Sequence, residues 1–329
     1  MASANESTGM NEATLHPAEL PAQRPWYRRR LWLWPVVLGA LIVLYYLVGM
    51  VWLHRIDDDP AFAAETSAPE GGSRAVALTA DLIDREINTH RWVANDPFFM
   101  PGSMLDNMPN FQQGIVTALS RFALELTDQI ARTRGSSQMD PDLNNAAGLL
   151  RYPGDIWIFN PSTSLAPTAS SESQYRQAMI ALRAYNERLA AGNAVFEDRS
   201  DNLLATLDRI AGDLGSGSAA LDRRLSEAGF GIDFEADDLF YANKGRLYAY
   251  YLLLRELGVD YARVIQERDL GAAWAQMLDS FRAAATLQPW FVVNGAPDSQ
   301  TLPSHLAAQG FFLLRARTQL REISNILLK

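Results

Sequence analysis

The stretch "LYAYYLLLREL", residues 247–257, decides the architecture of this chain. It belongs to a segment, 236–257, that is apolar almost all round, and such a helix is buried on every side. The segment stops before Gly258, a residue type that often follows the last turn of a helix. A buried central helix needs partners, and the flanking sequence repeats the helical period. Residues 110–132 align Ile115, Leu119, Phe122, Leu126 and Ile130; residues 171–190 align Tyr175, Met179, Leu182, Tyr185 and Leu189. The second of these opens with Ser171 and Gln174 at capping-box spacing. Residues 195–214 carry Leu203, Leu207, Ile210 and Leu214 ahead of a stop signal at Gly215, and 270–287 carry Trp274, Met277, Leu278 and Phe281. From about Pro303, Leu306, Leu313, Leu320 and Leu327 form a heptad seam suited to antiparallel packing. Only "DIWIF" (155–159) and "WFVV" (290–293) read as strand-like, each a small ribbon or an extended loop. The expected fold is mostly α: a multi-helix bundle with at most short strand-like segments.

Upstream of the bundle, "LWLWPVVLGALIVLYYLVGMVWL" runs from Leu31 to Leu53 without a charge. About 20 apolar residues cross a bilayer core, so the lipid bilayer is the first expected partner, engaged through residues 31–53. Trp32, Trp34 and Trp52 sit near the ends, where indoles favour the interface, and Pro35 is read as lying in the first helical turn. Arg24, Arg28, Arg29 and Arg30 precede the span, whereas Asp57, Asp58 and Asp59 follow Arg55. That asymmetry predicts a cytoplasmic N-terminus and a periplasmic body at the bacterial inner membrane. A cleaved signal peptide is the alternative, with "AFAA" (61–64) as its only candidate site, at some distance from the apolar run. The predicted organisation is a polar cytoplasmic tail over 1–30, the span over 31–53, a flexible stalk over 54–74 and a helical periplasmic domain over 75–329.

Composition narrows the chemistry. With 329 residues, 48% hydrophobic and 20% charged, the chain can bury a substantial core. The absence of cysteine excludes disulfides, thiolate metal sites and cysteine nucleophiles. A net charge of −9 makes a nucleic-acid partner unexpected. Basic charge is carried almost wholly by arginine, the lysines being Lys244 and Lys329.

The richest loop is 90–114, which holds His90, Asp96, Phe98, Phe99, Asp106 and Asn107. Asn110 follows Pro109 ahead of an amphipathic run, so its side chain is expected to cap a helix, with Asp106 and Asn107 in a turn. Phe98, Phe99 and Met100 either plug the end of the bundle or face a partner or the membrane surface. The second loop, "VVNGAPDSQTLPSH" (292–305), adds Asn294 and His305, with Ser304 or Thr301 as a cap for the last helix. Together these residues form the expected ligand or partner surface, the partner being an envelope protein. His90, His305 and Asp96 lack the close spacing typical of metal sites, and no metal or cofactor is expected. The acids Asp233, Glu235, Asp237 and Asp238 suit a helix start, where they favour the dipole. No nucleophile elbow, phosphate loop or dinucleotide fingerprint occurs, and no catalytic residue is expected.

The segments "NDPFFMPGSMLDNMPNFQQG", "SESQYRQA", "FYANKGRLYAYYLLLRELGVD" and "HLAAQGFFLLRARTQLREI" resemble those of an uncharacterised family of bacterial inner-membrane-anchored proteins, known as a domain of unknown function. The resemblance implies the topology and the helical ectodomain; it implies no catalytic residue. The reading it favours is a non-enzymatic envelope protein presenting an interaction domain. A ligand-sensing domain with a pocket between the two loops, and an envelope hydrolase with paired acids, are the alternatives.

Overall fold

A computed structural model describes residues 26–64, 68–133, 139–159, 166–227, 233–297 and 299–329. Most of the expected cytoplasmic tail lies outside the described residues. The chain divides into two units, Met1–Tyr45 and Tyr46–Lys329. It is 70% helical, with no strand among the described residues.

Helix α1 (Trp26–Leu53) contains the apolar stretch Leu33–Leu53, 21 residues with none of that window buried. At 1.5 Å per residue this covers roughly 30 Å, the thickness of a bilayer core. Pro35 is not in the first turn. The helix starts at Trp26, among the arginines, so Pro35 is interior and removes one main-chain hydrogen bond.

The second unit builds around α7 (Phe234–Asp260), as the apolar run demands. Leu247, Tyr248, Ala249, Tyr250, Leu252, Leu253 and Leu254 are all fully buried. Helix α3 (Asn107–Thr133) makes the most extensive contact with α7, and α2 (Arg74–Asp84) and α9 (Gly271–Ala285) pack on it as well. Helix α5 (Ser171–Ala190) lies on α2 and on α4 (Pro141–Leu149), while α10 (His305–Leu327) lies on α9 and on α6 (Ser200–Ser226). The short α8 (Ala262–Glu267) follows α7 directly.

The α3–α7 crossing is set by two glycines. A Cβ on Gly114 would collide with the Ala242 carbonyl oxygen, and a Cβ on Gly245 with that of Phe111. The two backbones therefore touch where neither helix has a side chain.

Several helix ends differ from expectation for identifiable reasons. Helix α3 starts at Asn107, because Pro109 falls in the first turn, where its missing N–H has no helical partner. Asn110 is thus inside the helix; its amide donates to the Asp106 carbonyl at 2.9 Å and to Asp238 Oδ1 at 2.7 Å. In α5 the cap is Ser170, which accepts from Ser173 N, while Ser171 is buried and donates to Pro153 O at 2.7 Å. Helix α6 continues past Gly215 to Ser226, and α7 past Gly258 to Asp260. Ser304 caps α10 as expected, accepting from Ala307 N at 3.3 Å. Residues 155–159 form an extended loop paired by single bonds with 168–171, and 290–293 lead to one isolated bridge, Asn294–Ser304.

Candidate functional site

The residues leaving α1 are the first component of the site. A composition of Asp, Pro and Ala reads as stalk, yet residues 57–62 are fastened to the domain. Asp58 is 7% exposed and Lys244, on the central helix, 1%. Lys244 Nζ lies 2.6 Å from Asp58 Oδ2 and donates to the Leu287 carbonyl at 2.5 Å. Gln288 Nε2 donates to both Asp58 oxygens, at 2.8 and 3.0 Å. Burial lowers the Lys244 pKa against the pull of Asp58. A buried ammonium needs an anion, and the acid run beside the span supplies it.

A second buried cation continues the fastening. Arg85 opens one wide π-helical turn, Arg85–Thr89, which follows α2. Its guanidinium donates to Glu86 Oε1, to the Tyr248 hydroxyl at 2.8 Å and to the Asp57 carbonyl at 3.1 Å, and lies over the Phe62 ring. Tyr248 donates to Asp59 O at 2.9 Å, and Arg255 to Pro60 O and Phe62 O at 2.9 and 2.6 Å. His90 Nε2 sits 3.2 Å from Asp57 Oδ2. The His90 hydrogen bond, with Arg85 assisting against the cost of burial, holds the Asp57 carboxyl down at about 2.

This corner encloses a cavity of about 690 Å³, walled by Asp57, Asp81, Asp84, Arg85, His90 and Arg183 among others. Its charges answer one another: Arg183 reaches Asp81 Oδ1 at 2.9 Å and Asp84 Oδ2 at 2.8 Å. The cavity is roomy and lined by both charged and apolar groups, and its cations are already engaged by its own acids. Among the described residues no group of three or more His, Asp or Glu is placed to hold a metal ion.

The loop between the π turn and α3 has its own framework. Gln112, fully buried, donates to Arg91 O at 2.9 Å and accepts from Val93 N at 3.1 Å. Arg91 adopts a left-handed φ of 66° and bonds Asp96 Oδ1 at 2.5 Å. Burial pushes the Asp96 carboxyl up to about 6, with Arg91 opposing. Gly102 closes over it, since a Cβ there would strike Asp96 Oδ2. Phe98 and Phe99 plug nothing: they are 84% and 45% exposed.

At the start of α7 both predicted loops come to the same helix end. Asp233 caps it, accepting from Ala236 N, and bonds Arg224 and Asn294 Nδ2. One turn on, Asn107, with its amide nitrogen turned to the acids, donates to Asp106 Oδ1 at 3.0 Å and to Asp237 Oδ2. Burial first, then the charges of Asp106 and Asp238, raise the Asp237 carboxyl to about 7. Folded chain therefore holds a proton that unfolded chain, near 3.8, releases. Stability should fall as pH rises from about 4 to about 7; Asp96, held at about 6, shares that fall, so Asp237→Asn should reduce the slope and leave the Asp96 part. At pH 8 the variant is expected to be about 1 kcal/mol the more stable, discounting for solvent at this half-exposed site. Denaturation at a series of pH values measures it; a parallel slope in the variant would refute the assignment. Asp57 does not interfere, because its contribution is lost only as pH falls through about 2.

Of the eight residues singled out in the sequence, Asp106 and Asn107 meet at α7, and Asn294 joins the same helix end through Asp233. His305 is a scaffold group: its Nδ1 accepts from Val293 N at 2.9 Å. Only His90 lines any of the cavities of 690, 370 and 130 Å³. Sequence reading missed Asp57, Asp58, Arg85, Lys244 and Gln288. One signal was present: a lysine inside an otherwise apolar helix has to find an anion.

No curated protein and no solved structure matches the chain. A family model does, over residues 26–328, described as an uncharacterised protein conserved in bacteria. The match takes in nearly the whole chain, from the start of α1 to the end of α10: the chain belongs to the bacterial family DUF2333.

Proposed function

We propose that this is a single-pass envelope protein whose span is retained, with the N-terminus cytoplasmic and the helical domain periplasmic. On this reading the domain offers an interaction surface to another envelope protein. One observation carries the retained span. Asp57 and Asp58 lie before "AFAA", the only candidate for a cleavage site, and their carboxylates neutralise Arg85 and Lys244 inside the domain. Cleavage there would remove the anion of Lys244 and strand that buried ammonium, and would leave Arg85 with Glu86 alone, a loss that a folded domain tolerates poorly. The arginines ahead of the span and the acids after it support the orientation. Exposed Phe311 and Leu314, one turn apart on α10, support a protein-facing surface.

Mass spectrometry of protein extracted from bacterial membranes tests the retained span. An intact N-terminal region, in protein that resists alkaline extraction and is digested by protease only once the periplasm is opened, is expected. A mature chain beginning after Ala63 or Ala64 in the soluble fraction would overturn the proposal. A second reading, a sensing domain, is favoured by the 690 Å³ cavity. Thermal shift against small metabolites tests it: a saturable rise abolished by Arg183→Ala would support that reading.

A further inference from the structure

We propose that the domain is seated directly on the bilayer, with the aromatic loop 98–104 and its neighbours inserted into the leaflet where α1 ends. The inference rests on the retained-span reading above. Tyr46 lies within the apolar stretch Leu33–Leu53, and its hydroxyl donates to the Phe98 carbonyl at 2.8 Å. At 1.5 Å per residue, Tyr46 sits about 10 Å before the end of that stretch. The loop therefore reaches back along the helix, to a depth where a spanning helix meets headgroups and acyl chains. A second contact fixes the same register. A Cβ on Gly49 would overlap the Pro101 ring, so the loop lies against the helix at both points.

What the loop carries suits that depth. Phe98 is 84% exposed and Met104 63%. Phe98, Phe99, Trp157 and Phe159 run edge to face, with centroids 5.4, 5.6 and 5.5 Å apart. Trp290 and Phe291, 95% and 81% exposed, follow Gln288, which is itself bonded to Asp58 just beyond the span. In water these rings would be exposed without compensation. In the interface, aromatic side chains are the favoured type. The bilayer is the occupant already adjoining this face, because the chain's own span runs through it.

The chain has no cysteine, so single sites can be labelled cleanly. Full-length variants Phe98→Cys, Trp290→Cys, Leu38→Cys and Arg132→Cys would carry an environment-sensitive fluorophore in vesicles of phosphatidylethanolamine and phosphatidylglycerol. Lipids spin-labelled at shallow and deep positions serve as quenchers. Leu38 reports the span, and Arg132 lies near the far end of α3, about 40 Å along that helix from Asn107. The expected result is blue-shifted emission and loss to the shallow quencher at 98 and 290, loss to the deep quencher at 38, and no loss at 132. Water-like, unquenched emission at 98 and 290 with quenching at 38 would overturn the seating alone and leave this face to a protein partner. Absence of quenching at 38 would overturn the retained span itself.

Discussion

Replacing Lys244 by alanine is expected to destabilise the domain by about 3–5 kcal/mol, because removing one partner of a buried ion pair leaves the other charge unanswered. For a domain of this size that corresponds to a fall in Tm on the order of 10 °C. Asp58 would keep only the Gln288 amide, the Leu287 carbonyl would lose its donor, and the lysine methylenes would leave a void beside the core. The charge explanation has its own control. Asp58→Leu with Lys244→Met removes both charges at similar volume and should recover most of the loss, since apolar replacements of whole buried pairs are often neutral or better. Urea denaturation of the two proteins decides the matter. A double variant as unstable as Lys244→Ala would mean that shape, and not charge, is what the pair contributes.

Gly245→Ala should be nearly as damaging. In an open helix this change gains up to about 1 kcal/mol from the better propensity of alanine. Here the new methyl would meet the Phe111 carbonyl oxygen, part of another helix's backbone, which cannot rotate aside. The α3–α7 crossing would have to separate along its length, and overpacking of this kind costs about 1–3 kcal/mol or more. Gly114→Ala meets the Ala242 carbonyl in the same way. Gly212→Ala provides the opposite sign: Gly212 lies inside α6, and a Cβ there would have no neighbour within 4 Å, so a gain of about 0.5–1 kcal/mol is expected. Thermal melts of the three variants, read against the unchanged chain, test the crossing. A stabilised Gly245→Ala would show that the helices do not touch there.

The glycines also explain which parts of the fold are legible in the sequence. Periodicity predicts α5 over the residues it occupies and puts the buried centre in α7, because both depend on patterns within one segment. Gly215 and Gly258 read as helix ends and are helix interiors. A Cβ on Gly215 would crowd the Arg317 guanidinium, and one on Gly258 would lie 2.7 Å from Trp274 Nε1. Local sequence cannot distinguish a glycine that ends a helix from one that admits a neighbour. The same limit governs the site. Asp106, Asn107 and Asn294 stand out as turn residues, and their shared attachment to α7 depends on positions far apart in the chain. The fastening of residues 57–62 is hidden for the opposite reason: its residues are those of a linker, and only their distant partners make them structural.

That fastening sets the length of a leash. Tyr46 and Gly49 of α1 already touch the loop at Phe98 and Pro101, and between Leu53, where α1 ends, and Asp57, the next point of attachment, the main chain can extend by at most about 15 Å. On the proposed retained-span reading, so short a tether would leave the domain no room to swing outward toward distant structures of the envelope. Under that reading a partner would have to come to the membrane plane, and encounters would become a two-dimensional search at a fixed height, closer to a bead sliding on a sheet than to bait on a line.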